Sequence, residues 1–149
     1  MFVRQAHLPL IFTIFAAAVM GQEGQPAPWS KGELMQPSSL AQLIKSSTTA
    51  PTIISVVYPV MYRQRHILHA RLAGPGNKDE GIEALRQAVQ SLSKTSQIVI
   101  YCGCCPMEKC PNLRPAYQAL KKLGFTQIRV LDLPTNFHTD WAEKGYPVE

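Results

Sequence analysis

Three stretches of the chain are near-continuous apolar runs rich in β-branched residues: Thr52-Ile-Ile-Ser-Val-Val57, Ile98-Val-Ile-Tyr101 and Ile128-Arg-Val-Leu131. A strand that faces water on one side alternates apolar and polar residues. A run without that alternation belongs to a strand covered on both faces. Helical stripes separate the runs. Ile82, Leu85, Ala88, Val89 and Leu92 recur at helical spacing over Glu80–Leu92, and a second amphipathic pattern covers Leu113–Leu123. Buried strands alternating with helices point to an α/β fold with a mostly parallel central sheet flanked by helices.

The punctuation supports this reading. A helix over Leu40–Lys45 follows the cap signal Pro37-Ser38-Ser39, and Tyr58-Pro59 stops the first run before a short helix over Val60–Arg65. A further short strand is expected within His66–Leu72, making four in all. Asp79 and Asn112 stand where helix caps are expected, Pro115 falls in a first turn, and Gly124 ends the helix that begins near Leu113. A last short helix runs from His138 to Lys144, with Trp141 and Tyr146 assigned to the core. The chain has 149 residues, one domain by length. That domain is expected over residues 34–149, preceded by a flexible segment over residues 22–33.

Residues 1–21 have a different character. Arg4 is the only charge before an apolar run from Leu8 to Met20, and small residues follow at Ala16, Ala17, Ala18 and Gly21. This is the layout of a secretory signal, and the run is shorter than the ~20 apolar residues of a membrane span. The expectation is therefore cleavage near Gly21, an exported protein in the periplasm or secreted, and no membrane attachment afterwards; the alternative is an uncleaved membrane anchor. The net charge is +5, but the basic residues are scattered, so no nucleic-acid partner is expected.

All four cysteines lie in one stretch, Cys102-Gly-Cys104-Cys105-Pro-Met-Glu-Lys-Cys110. An exported protein meets an oxidising compartment, yet cysteines this close together would staple little of a fold. Cys102 directly follows an apolar strand, and a helix begins a few residues beyond. Ligands of open α/β sheets bind at the carboxyl ends of strands, and a helix N-terminus favours a thiolate. Cys102 is thus the candidate nucleophile. Cys104, Cys105 and Cys110 have three readings: resolving or relay thiols, ligands of a soft metal ion, or a disulfide that stiffens the loop. The spacing lacks C-x2-C and a nearby histidine, which speaks against structural zinc. A cysteine phosphatase, which needs C-x5-R, is excluded by Glu108 and Pro111 at the sixth positions after Cys102 and Cys105.

Several segments resemble the rhodanese-like sulfurtransferase domain. They are Ile98-Val-Ile-Tyr-Cys102, Leu120-Lys-Lys-Leu-Gly124-Phe125, Trp141-Ala-Glu-Lys-Gly145-Tyr-Pro-Val148, and His66-Ile67-Leu68-His69-Ala70, which matches the family's Gly-His-Ile-Pro-Gly-Ala at His66, Ile67 and Ala70. The resemblance spans residues 34–149. It implies an α/β sheet flanked by helices, with a catalytic cysteine at Cys102 that carries sulfur as a persulfide from a small donor to a thiol acceptor or a thiol-bearing partner protein. The loop after Cys102 is longer than the family's, with Met107 where the family carries arginine; Ser55-Val56-Val57 stands where many members carry Asp-x-Arg. Arg114 and Lys109 are the candidates for holding an anionic substrate in place of the missing arginine. No cofactor is expected, apart from a soft metal ion on the cysteine cluster under the metal reading. The function so inferred is sulfur transfer or a related thiol redox relay. The alternative is a non-catalytic metal- or redox-binding module on the same scaffold.

Overall fold

A computed structural model describes residues 27–46 and 50–149. The signal segment expected over residues 1–21 lies outside the described residues. Five parallel strands form one sheet: β1 (Leu34–Met35), β2 (Thr52–Ser55), β3 (Arg71–Leu72), β4 (Gln97–Tyr101) and β5 (Gln127–Leu131). Their order across the sheet is β1-β5-β4-β2-β3. The three apolar runs therefore occupy the middle of the sheet, as their lack of alternation requires, and the two-residue strands take the edges.

Four helices cross between the strands: α1 (Pro37–Ser46), α2 (Pro59–Gln64), α3 (Asp79–Val89) and α4 (Leu113–Lys122). Successive side chains of a strand point to opposite faces, and the central strands use both. Ile54, Ile98, Ile100 and Val130 pack against Leu85 and Val89 of α3 and Leu113, Ala116 and Leu120 of α4. Ile53, Val99, Tyr101 and Leu131 pack on the other side with Leu40, Ala41 and Ile44 of α1 and with Trp141 from a π-helical turn at His138–Ala142. Each face is covered, and the sheet has two apolar cores.

The structure corrects several local expectations. Among the described residues there are five strands rather than four, because β1 pairs with β5 through Leu34 opposite Val130; a two-residue strand leaves no periodic signal. The run Thr52–Val57 stays buried to its end but leaves the ladder after Ser55. Ser38 and Ser39 lie inside α1, whose first turn holds Pro37. Asp79 is the first residue of α3, with Lys78 before it and no side-chain cap. Tyr146 is only half-buried, set edge-on against Trp141.

The segment expected to be flexible over residues 22–33 is docked from residue 27 onward. Trp29 is 7% exposed and joins the α3/α4 core, edge-on to Tyr117. Glu33 accepts hydrogen bonds from the Ser30 backbone N–H and hydroxyl, at 2.9 and 2.8 Å, closing a short 3-10 turn at Lys31–Glu33. One buried tryptophan outweighs the polar composition around it.

Candidate active site

Residues Ile98–Tyr101 of β4 are buried, so the strand delivers Cys102 to the carboxyl edge of the sheet as a fixed point, 4% exposed. Gly103 then turns the chain at φ +78°, and a Cβ there would lie 2.6 Å from the Phe137 Cβ. Both the left-handed backbone and the missing side chain are needed. The Phe137 backbone N–H donates to the Gly103 carbonyl at 3.0 Å, fixing the turn. As a result the Cys104 Sγ sits 3.1 Å from the Cys102 Sγ, and the Cys105 Sγ sits 3.3 Å from that of Cys104.

A 3-10 turn at Met107–Lys109 returns the loop toward the sheet. Its anchor is apolar: Met107 is buried in the core, and its N–H donates to the Leu133 carbonyl at 3.1 Å. The residue that replaces the family's arginine is therefore a packing residue. The turn buries Cys110, and the Sγ atoms of Cys102, Cys104 and Cys110 all lie within 4.8 Å of one another. All four cysteines are free thiols.

Asn112 completes the cluster. It stands just before α4 but makes no side-chain cap. Instead it is 1% exposed, its Oδ1 accepts the Asn77 N–H at 3.3 Å, and its Nδ2 donates to the Cys102 Sγ at 3.3 Å. The neighbouring loop is held close by Gly76, where a Cβ would lie 2.1 Å from the Asn112 carbonyl oxygen.

These contacts decide which sulfur carries charge. The Cys102 thiol is pulled down from 9.0 to about 6, chiefly by a hydrogen bond from the Cys110 thiol. Burial opposes the shift, while the Asn112 amide, the Cys104 backbone N–H and the Cys104 thiol add to it. Cys110 is pushed up by the hydrogen bond it gives to Cys102, and then by burial. Cys104 is pushed up by burial first and by its hydrogen bond to Cys102 second. The three sulfurs share one negative charge, and it rests on Cys102 at neutral pH. The site holds one nucleophile with two protonated thiols beside it.

A cavity of about 500 Å³ opens over this cluster, lined by residues that include Ser55, Tyr62, Arg65, Cys102, Cys104 and His138. Two of its lining residues are basic types and none is acidic. Ser55 is fully buried in the cavity wall, and its hydroxyl acts on the Tyr101 phenol, offsetting part of the burial that pushes Tyr101 up to about 12.

The two anion-binding candidates from the sequence lie elsewhere. Arg114 places its guanidinium 3.5 Å from the Trp29 ring centroid and donates to the Ala27 carbonyl. Lys109 is exposed at the end of the 3-10 turn and does not line the cavity. Arg65 and His138 line it instead. Neither carries a motif; each reaches the cavity from a segment distant in sequence from the cysteines. Asn112 was legible only as a cap, because its position before a helix is what the sequence displays. His66 takes a packing role, whereas His69 is exposed and, among the described residues, only its backbone N–H is held, donating to the Glu149 Oε1 at 2.7 Å. His66 stacks on Tyr62 with centroids 3.7 Å apart, and its Nδ1 lies 2.9 Å from the Tyr62 carbonyl oxygen. His69 adopts φ 66°, at the position where the family motif has glycine. For a metal, Cys102, Cys104 and Cys110 offer three sulfurs and no carboxylate or imidazole, a soft donor set.

The family model of the rhodanese-like domain matches residues 36–133. The chain belongs to the rhodanese-like domain family. Among solved structures, this rhodanese-like chain is similar to the BH2092 protein of Bacillus halodurans, with a TM-score of 0.62 and 24% identity over 79% of this chain and 77% of that one. It is similar to the Alr3790 protein of Anabaena, with a TM-score of 0.60 and 22% identity over 77% of this chain and 81% of that one. It is also similar to a full-length protein from Lactobacillus plantarum, with a TM-score of 0.60 and 15% identity over 78% and 87% of the two chains. At these identities the likeness is one of fold. No curated protein matches the chain. Family membership fixes the scaffold, and the activity has to be argued from the site.

Proposed function

We propose that this rhodanese-like domain is a sulfurtransferase with Cys102 as its nucleophile. The observation that carries the reading is a buried thiol pulled down to about 6 at the floor of a cavity without acidic lining. The Cys102 thiolate attacks the outer sulfur of thiosulfate or of a persulfide. With thiosulfate the S–S bond breaks, sulfite leaves with the bonding electron pair, and Cys102 is left as the persulfide anion. An acceptor thiolate then attacks the outer sulfur and restores Cys102 as the thiolate. Arg65 is the basic residue placed to attract an anionic donor. The partners so proposed are a small sulfur donor and a thiol acceptor, free or borne by a protein. The compartment proposed is an exported one, on the strength of residues 1–21; sequencing the N-terminus of the protein recovered from cells tests it by showing or not showing cleavage near Gly21.

The deciding experiment incubates purified protein with thiosulfate and cyanide, and separately with a low-molecular-weight persulfide, while thiocyanate and protein mass are followed. Turnover that Cys102→Ser abolishes supports the reading. Absence of added sulfur on Cys102 with either donor ends it.

A second reading, a non-catalytic module that binds a soft metal ion, is favoured by one observation: three sulfurs within 4.8 Å of one another. It predicts stoichiometric thiolate-bound metal after anaerobic purification, with no turnover.

A further inference from the structure

The Cys104 sulfur is closer to Cys102 than any role as a bystander needs. We propose that Cys104 resolves the Cys102 persulfide within the same chain, releasing sulfide and leaving a Cys102–Cys104 disulfide. The inference rests on the sulfur-loading reading above and adds a second product and a second reacting residue.

The geometry selects both the residue and the atom attacked. The Cys104 Sγ lies 3.1 Å from the Cys102 Sγ, which becomes the inner sulfur of the persulfide. Reacting atoms held at about this distance are already in a near-attack arrangement. Cys102 and Cys104 both line the cavity, which leaves room for the outer sulfur and for its departure as sulfide. Cys110 does not line the cavity and is buried behind the loop. Cys105 reaches Cys104, at 3.3 Å, and has no contact of that kind with Cys102. Gly103 between the reacting pair removes a side chain from the short ring that the disulfide closes.

The step balances. The persulfide anion on Cys102 takes the thiol proton of Cys104. The Cys104 thiolate then attacks the inner sulfur, an S–S bond forms between the two cysteines, and the bond to the outer sulfur breaks. Hydrosulfide departs with the bonding pair and with the proton that Cys104 gave up. The sulfane sulfur is reduced, and the two cysteine sulfurs together supply the two electrons. Loading also prepares the attack. In the resting protein the thiolate of Cys102 helps keep Cys104 protonated, and a persulfide moves that charge one atom away. Return to the resting state requires a dithiol reductant, so in its absence each chain reacts once.

The experiment is a single anaerobic turnover of fully reduced protein with thiosulfate and no added thiol. The wild-type protein is expected to release about one sulfide per chain and to end two hydrogens lighter, with a disulfide in the peptide that spans Cys102 and Cys104. Cys104→Ser is expected to retain one extra sulfur on Cys102 and to release at least about tenfold less sulfide. Cys110→Ser removes the chief thiol donor to Cys102 and is expected to load sulfur more slowly, yet still to release about one sulfide per chain once loaded. The retained sulfur shows at once that the Cys104 variant is folded and that loading succeeded. Sulfide release by Cys104→Ser at the wild-type rate overturns the proposal while leaving sulfur transfer intact, as does a wild-type protein that simply keeps its persulfide. If neither protein takes up sulfur from thiosulfate or from a persulfide, sulfur loading itself fails, and resolution by Cys104 fails with it.

Discussion

Cys102 is ionised because of the donors around it, and they can be removed one at a time. Its thiolate fraction rises as pH climbs through about 6, whereas an unperturbed thiol rises near 9.0. Alkylation of Cys102 by iodoacetamide is therefore expected to reach most of its maximal rate by neutral pH and to fall below pH 6 as the thiol protonates. Asn112→Ala removes one donor to the sulfur, so the midpoint of that profile is expected to move upward, by roughly one pH unit. The same substitution breaks a partly buried hydrogen bond from the Asn77 N–H and is expected to lower stability by about 1–3 kcal/mol in urea titration. Gly103→Ala acts through the backbone. A left-handed alanine costs about 1–2 kcal/mol, and its Cβ meets Phe137. Loss of turnover with normal far-UV circular dichroism is the expected outcome, because the displaced element is the reactive turn and not the sheet beneath it.

At the level of elements, the loop between β4 and α4 departs most from the family, and apolar anchors hold it. Met107 fills the core where an arginine was sought, so substrate charge has to be met from another segment. The cavity takes its arginine from the end of α2, as Arg65. Arg65→Ala is accordingly expected to raise KM for thiosulfate severalfold with a smaller change in kcat, as loss of one exposed charge contact of about 1 kcal/mol would produce. Arg114→Ala is expected to leave KM unchanged in the same assay. Its guanidinium sits over Trp29, and loss of that contact should appear as about 1 kcal/mol of stability.

Over the whole molecule, the segment before β1 belongs to the domain. Trp29→Ala is expected to cost about 3–5 kcal/mol, read as a lower midpoint in thermal or urea unfolding. Iodoacetamide reactivity of Cys102 in the folded protein should remain as in the wild type, because Trp29 packs on Tyr117 of α4 and lines no part of the cavity. The sheet, its parallel sense, the helices over each face and the place of Cys102 could be read from the sequence. These follow from local periodicity and from the rule that parallel strands must be covered, which runs such as Ile98–Tyr101 display directly. What the sequence could not show are facts of approach between distant segments. The two-residue strand at Leu34–Met35 exists because β5 is there to pair with it. Asn112 is a donor to a sulfur, and not a cap, because Asn77 and Cys102 meet its two ends. Arg65 and His138 line the cavity, and Arg114 does not, because the chain folds the carboxyl edge of β2 and the turn that holds Trp141 over Cys102 while α4 carries its one arginine to Trp29. Spacing along the chain determines which residues can react; only the packed structure decides which sulfur holds the charge and which groups surround it.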